Sequence, residues 1–460
     1  MVQALEWDSQ LIHRYAVNGP RYTSYPTAVE FTAPFSEVDY LNAAKQSKQL
    51  NTPLSLYFHI PFCANICYYC ACNKVVTKQR SQAVSYIKNL IREMHFHAEY
   101  FGQREVTQLH WGGGTPTYLS LELMQQLMEK TNDYFQLVDD ASADYSIEID
   151  PREADWATMG HLRQLGFNRI SLGIQDFNPV VQQAVNRVQT EEETLAVIDA
   201  ARTLSFKSVN VDLIYGLPHQ NTQSFLTSLD KVLELAPNRL SIFNYAHLPE
   251  RFKPQRRISE KDLPSPAEKL SILKHTIEHL INAGYVYIGM DHFALPDDEL
   301  TEAKVTGQLH RNFQGYTTHK ACDLLGLGCS AISQVGDTYW QNHSKLDNYS
   351  QQVNQNTFPF QRGFVLSTED SLRREVISQL ICHFELNTQQ IEQQFGIDFN
   401  RHFAYELDAL QLMAEDGLLT INEDNLTVNP KGQLLIRNIC MVFDQYLTRN
   451  NETTRFSKVI

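Results

Sequence analysis

The sequence predicts an α/β fold in which a parallel sheet is covered by helices, and three observations carry that reading. Between residue 54 and about 290, short β-rich runs alternate with amphipathic helical stretches. The runs number six (Leu54–Ile60, Val106–Trp111, Tyr145–Ile149, Asn168–Gly173, Ser208–Ile214 and Leu240–Asn244), and strands separated by whole helices pair in parallel. The unusual polar residues fall at the C-terminal ends of those runs, where parallel β/α folds place their chemistry. Spacing alone leaves open whether the sheet is flat or curls into a partial barrel.

In chain order, residues 1–50 are aromatic and polar, with Gly19-Pro20-Arg21-Tyr22-Thr23-Ser24-Tyr25-Pro26 as their most distinctive piece. Two prolines break regular structure, so an N-terminal arm is expected, either a surface wrap or a lid. Residues 51–342 hold the β/α core. Its helices show in Val84, Ile87, Ile91 and Met94, and again in Leu270, Leu273, Ile277 and Leu280, at helical spacing. Thr190 and Glu193 form a capping box that opens another helix. Residues 343–362, rich in Asn, Gln and Ser, are expected to be a linker. Residues 363–460 are expected to be a small, mostly helical domain: Leu386–Phe395, Phe403–Met413 and a short β pair around Leu418–Val428 resemble a winged helix.

The totals describe an ordinary globular protein. Its 460 residues are 43% hydrophobic and 20% charged, enough for one large domain and a smaller one. The formal charge of −14 argues against bulk nucleic-acid or anionic-membrane binding. The winged-helix-like end shares that sign, with eight Lys/Arg against fourteen Asp/Glu over residues 365–460. No signal peptide is evident and no apolar run reaches spanning length, so a cytoplasmic protein without membrane or nucleic-acid partners is expected.

Four of the eight cysteines fall within ten residues, as Cys63-x3-Cys67-x2-Cys70 followed by Cys72. Thiolates this close read as a soft-metal site. Structural zinc wants four ligands, usually in two separated pairs, and Cys322, Cys329, Cys382 and Cys440 are scattered singly. An iron–sulfur cluster tolerates the shorter spacing, and three thiolates leave one iron open. The Gly112–Thr117 stretch lacks the P-loop and dinucleotide signatures; a tight turn and a ligand cradle both remain readings of it. Glu148 and Asp212, at apolar strand ends, suit buried acceptors for hydroxyl groups, although lone carboxylates are commonly surface residues.

Cys63-x3-Cys67-x2-Cys70 with aromatic Tyr69 before the last cysteine resembles the radical S-adenosylmethionine (SAM) superfamily. The longer string from Tyr57 to Cys72, the Arg21–Pro26 stretch and matches along essentially the whole chain resemble one branch, the oxygen-independent coproporphyrinogen III oxidases. The resemblance implies a six-stranded partial (β/α) barrel and favours a lid role for the arm. It implies one 4Fe–4S cluster on Cys63, Cys67 and Cys70, and two SAM molecules. The branch's SAM-binding positions fall on Tyr57, Tyr69, Gly113, Gly114, Thr115, Glu148, Gln175, Arg187, Asp212, Ala246 and Ile332, with Phe313 and Gln314 near the second SAM.

The implied reaction abstracts hydrogen from two propionate side chains of coproporphyrinogen III and leaves vinyl groups, with a low-potential electron donor that the sequence does not identify. A monomer is expected. Cys72 is either a spectator or a hydrogen donor near substrate, and His59 is a candidate for tuning the cluster. Arg21, His310 and Arg311 are candidates for the substrate carboxylates. The nearest rival is a haem-binding chaperone of the same superfamily. Such relatives carry a His-Asn-x-x-Tyr-Trp motif, and Tyr339-Trp340 here lacks the His-Asn pair.

Overall fold

The computed structural model describes residues 5–449. The chain divides into two compact units: residues 31–276 with 321–365, and residues 1–30 with 277–320 and 366–460.

The larger unit is built on six parallel strands: β1 (Leu54–Ile60), β2 (Glu105–Gly113), β3 (Asp144–Ile149), β4 (Arg169–Gln175), β5 (Ser208–Tyr215) and β6 (Arg239–Asn244). Neighbours in sequence are neighbours in the sheet, all in parallel register, as right-handed β/α crossovers produce. The crossovers carry α1 (Ser81–Phe101), α2 (Leu121–Tyr134), α3 (Trp156–Gln164), α4 (Glu191–Thr203) and α5 (Thr222–Glu234). This is the six-stranded β/α architecture expected. The strand β1, covered on both faces, buries every residue but Tyr57. The capping box of α4 forms as expected, Thr190 N–H donating to Glu193 at 2.8 Å and Glu193 N–H to Thr190 at 3.1 Å.

The other edge of β1 is extended by parallel β7 (Asp323–Leu327), then by antiparallel β8 (Ile332–Val335), β9 (Thr338–Asn342) and β10 (Phe360–Val365). Two expectations are corrected here. Residues 343–362 are not an irregular linker: they contain α6 (Leu346–Asn354), whose Tyr349 and Val353 are fully buried, and much of β10. Polar composition hid a helix that contributes only these two apolar anchors. In α1 the buried face is rotated from the predicted stripe. Val84 is exposed, and the face carries Tyr86, Ile87, Leu90, Glu93, Met94 and His97.

Glu93 lies in α1 without solvent exposure. It accepts hydrogen bonds from Gly328 N–H (2.8 Å), Tyr349 O–H (2.6 Å) and Asn342 Nδ2 (2.6 Å). Burial pushes its carboxyl up to about 7 despite those three donors.

The smaller unit contains two β hairpins, Val286–Gly289 with His292–Ala294 and His310–Asn312 with Gly315–Thr317. Its C-terminal part is helical, around a three-stranded antiparallel sheet of Glu385–Asn387, Asn425–Val428 and Leu419–Ile421. Leu386, expected in a helix, instead pairs with Leu426 in that sheet; Asn387 caps the helix, which begins at Thr388. The N-terminal segment is tied to this helical part. Arg14 and Tyr15 both reach Asp416, Tyr22 O–H donates to Asp444 at 3.0 Å, and Arg437 donates to Pro20 O at 2.7 Å.

Candidate active site

The C-terminal ends of β2 to β6 and the loop that follows β1 surround a cavity of about 310 Å3. The cysteine loop leaves β1 through Phe62–Cys63, which pairs in parallel with Val75–Val76 and so closes the loop on itself. A turn then brings Cys70 N–H to Cys67 O at 3.3 Å. Cys63, Cys67, Cys70 and Cys72 all line the cavity and all are unbridged thiols. Burial pushes the Cys63 thiol up to about 11, while a hydrogen bond from Cys72, with the nearby Lys74 charge, holds Cys70 down to about 6.

Cys67 has two guanidinium groups beside its sulfur. Arg187 Nη1 lies 3.6 Å and Arg152 Nη2 3.8 Å from its sulfur. Asp150 holds both guanidinium groups, at 2.9 Å from Arg187 and 2.6 Å from Arg152. Thr115 O–H points at Cys63 Sγ from 3.5 Å.

Beside Cys63, β2 ends in the Gly-rich turn, whose Gly114 and Thr115 N–H groups donate to Ile60 O and Phe62 O, both at 2.8 Å. Gly113 has φ +113°, and a Cβ there would stand 2.6 Å from the His59 ring. At Gly114 a Cβ would stand 2.7 Å from the Pro61 carbonyl, so only glycine lets this backbone approach the loop. Gly113 N–H donates to Glu148 at 3.0 Å. Although burial disfavours its charge, His110 and this N–H outweigh it and hold the Glu148 carboxyl below its usual value. Its side chain keeps 44% exposure because it faces the cavity. On β5, Asp212 accepts from Ser171 O–H at 3.0 Å and Asn210 Nδ2 at 2.8 Å, and burial raises it to about 6. Gln175, at the end of β4, takes a left-handed φ of +69° that turns the chain over the cavity rim.

The cavity therefore gathers Tyr69, Gly113, Gly114, Thr115, Glu148, Gln175, Arg187 and Asp212 with the four cysteines. Tyr57, His59, Ala246 and Ile332 do not line it. His59 is buried and held neutral by burial; it faces Asn73 O at 2.9 Å and Tyr57 O–H at 3.1 Å. Since a carbonyl only accepts, Nε2 carries the proton and Nδ1 accepts from Tyr57. Both ring nitrogens are thus engaged away from the cysteine sulfurs, and the direct hydrogen bond expected of a tuning histidine is not made. Ala246 follows β6 and Ile332 opens β8, both half-buried.

Asp150 and Arg152 were missed from the sequence. The signal was present: Glu148-Ile149-Asp150-Pro151-Arg152 sets two further charges just past the end of β3, beyond Glu148 within it.

Phe313, Gln314, Arg21, His310 and Arg311 belong to the smaller unit. Arg21 pairs with Asp291 at 2.8 Å. His310 is held neutral, pushed down to about 4 by burial. Arg311 packs its guanidinium 5.0 Å from the Tyr316 ring centroid, while its buried Nε and Nη1 have no hydrogen-bond partner in the protein. Gln314 Nε2 is likewise buried without one.

These residues fit a cluster and SAM. Three soft ligands converge on one cavity of about 310 Å3 whose wall includes Gly113 and Gly114, and Arg187 Nε is buried without a partner. Fold and site define the class of protein, that of radical SAM enzymes, which employ a 4Fe–4S cluster and SAM. Residues 57–232 match the family model for the Radical SAM superfamily, and residues 366–435 match that for the HemN C-terminal domain.

The similarity is closer still to named relatives. Oxygen-independent coproporphyrinogen III oxidase of Pseudomonas aeruginosa is 55% identical over 461 residues, covering 100% of both chains. That of Escherichia coli is 51% identical over 459 residues, again with 100% of both covered. The solved structure of coproporphyrinogen III oxidase (HemN) from Escherichia coli, described as a radical SAM enzyme, superposes with a TM-score of 0.93 at 50% identity. It covers 97% of this chain and 100% of that one. The chain belongs to the oxygen-independent coproporphyrinogen III oxidase family.

Proposed function

We propose that this chain decarboxylates two propionate side chains of coproporphyrinogen III to vinyl groups, giving protoporphyrinogen IX without oxygen. The observation that carries the reading is that Cys63, Cys67 and Cys70 line one cavity together with the Gly113–Thr115 turn, in a chain with full-length relatives of that name.

Cys63, Cys67 and Cys70 would hold the cluster and leave one iron open. When bound, the cluster and SAM supply a one-electron reductive C–S cleavage that yields the hydrogen-abstracting radical. The chain's own part is orientation and exclusion of water. Gly113, Gly114 and Thr115 present backbone and hydroxyl groups to the amino end of SAM. Arg187, anchored by Asp150 and Gly173 O, offers its free Nε to the carboxylate. Glu148, kept ionised, and Asp212 accept ribose hydroxyls. Cys72, exposed at the cavity rim, would deliver hydrogen near the substrate without serving as a ligand, a reading that its exposure supports.

Among the three carboxylate candidates, Arg311 fits best: its charge is permanent and two of its N–H groups lack partners, whereas Arg21 is paired and His310 is neutral. A second SAM at Phe313 and Gln314 rests on the resemblance, with the unpartnered Gln314 amide in support. Equilibrium dialysis should find two SAM per cluster-loaded chain; one would remove that part of the reading.

The test is anaerobic turnover of coproporphyrinogen III with SAM and dithionite, following vinyl products and 5′-deoxyadenosine together. Cys67→Ser is expected to abolish both. Product formation by that variant would refute the cluster role, and stoichiometric haem binding without turnover would favour a chaperone.

A further inference from the structure

We infer that the exposed basic segment Arg251–Arg257, against the outer side of the cysteine loop, is the docking platform for an acidic one-electron carrier protein. The inference rests on the proposed function, since that chemistry consumes an electron from outside at each SAM cleavage.

The segment reads Arg251-Phe252-Lys253-Pro254-Gln255-Arg256-Arg257, with four cations in seven residues of a chain whose formal charge is −14. All four are exposed. Nearby carboxylates reduce the local charge without cancelling it. Glu250 precedes the segment, Glu260 lies 3.9 Å from His247, and Asp262 lies 4.0 Å from His219.

A basic run alone would be an ordinary solvated face. This one is fixed to the cluster loop. Gln255, buried, donates to Tyr69 O at 2.9 Å and accepts from Leu248 N–H at 2.6 Å. Ile258 is buried with Val181, Val185, Leu217 and Tyr245, a cluster against which Tyr68 and Tyr69 pack. Arg257 places its guanidinium 5.2 Å from the Tyr68 ring centroid. The two tyrosines between Cys67 and Cys70 divide the loop: Tyr69 lines the cavity, whereas Tyr68 does not and carries Arg257 instead. An acidic carrier seated on the four cations would thus meet the ligand loop from the side away from the cavity. The transfer is a single electron: the carrier is oxidised by one, the cluster is reduced by one, and no bond or proton moves. Charge complementarity at such a patch raises encounter rates ten- to a thousandfold and is screened by salt.

The test uses the cluster-loaded enzyme and a photoreduced acidic 2Fe–2S ferredoxin of plant type as probe. Cluster reduction is followed by loss of visible absorbance in stopped flow. In the triple variant Arg251→Glu, Lys253→Glu, Arg256→Glu, which spares Gln255 and Arg257, the second-order rate should fall at least tenfold at low salt. The parent's rate should fall as salt is added, and the variant's should not. Dithionite-driven reduction and the KM for coproporphyrinogen III under dithionite should equal the parent's. Equal ferredoxin rates in parent and variant would overturn the proposal. A raised porphyrinogen KM would also overturn it, assigning the patch to the substrate's carboxylates. If dithionite drove no turnover in either protein, the proposed function would fail, while the ferredoxin rates would still decide the docking question.

Discussion

Two guanidinium groups on one cysteine sulfur define the electrostatics of this site at the residue scale. Cationic donors favour the more negative, reduced state of a cluster and so raise its potential. Losing a charge-assisted hydrogen bond of about 1.5 kcal/mol corresponds to roughly 60 mV in a one-electron couple. Arg152→Gln is therefore expected to move the cluster midpoint to more negative potential by tens of mV in an EPR-monitored titration, with iron and sulfide content unchanged. An unmoved midpoint would show that Arg152 does not act on Cys67 once the cluster is bound. Arg311 makes the complementary case. Replacing its buried, under-partnered guanidinium by Met should raise or preserve the melting temperature of the ligand-free protein while raising the KM for coproporphyrinogen III at least tenfold. At this scale the sequence showed the cysteines, the glycines and Glu148, because their types and spacings are unusual in themselves. It did not show Asp150 with Arg152, whose meaning comes from where β3 delivers them.

At the scale of elements, α1 is the case in which local pattern and packing part. The predicted stripe included Val84, yet the helix turns Glu93 inward to serve Gly328, Asn342 and Tyr349, and Tyr86 to donate to His59 O at 2.6 Å. Long-range partners on β9 and α6 decide this, and hydrophobic periodicity carries no trace of them. Glu93 also gives a pH signature. Its carboxyl is raised from 4.5 to about 7, so the folded chain keeps a proton that the unfolded chain releases. The associated stability, about 3 kcal/mol, is fully present below pH 4.5 and lost as pH rises through 7. Compared with Glu93→Gln, the parent's melting temperature should be relatively higher at pH 5 than at pH 8. A constant difference would mean that the carboxyl does not titrate in that window. The six β-rich runs, by contrast, were legible to within a residue or two, because β1 is buried almost throughout and β3, β4 and β5 alternate buried apolar residues with half-buried ones at the period of a strand.

For the whole molecule, the division into two units bears on what can be measured. Of the four tryptophans, Trp111, Trp156 and Trp340 belong to the unit that holds the cysteine loop, and Trp7 to the other. Tryptophan fluorescence therefore reports mainly on the larger unit. SAM at a hundredfold excess over Kd contributes about 2.7 kcal/mol to a native state that binds it. Added to the cluster-loaded protein, it should raise the fluorescence-detected transition by roughly 5 °C. No shift would argue against a SAM site in that unit. The expected boundaries, read as consecutive blocks, missed that residues 277–320 group with both chain ends. Composition changes along the chain mark where a segment stops, not which distant segment it packs with. Among the described residues, no helix is long and apolar enough to cross a membrane.

The different neighbours of Tyr68 and Tyr69, Arg257 for the one and the cavity for the other, have a kinetic consequence. A reaction that must fire twice on one tetrapyrrole needs refuelling between its halves. If recharging reaches the ligand loop from the Tyr68 side, the half-finished, one-vinyl porphyrinogen can stay seated while the next electron arrives. Donor and substrate should then obey a sequential rate law, and a porphyrin that plugs the mouth should inhibit without competing with the donor.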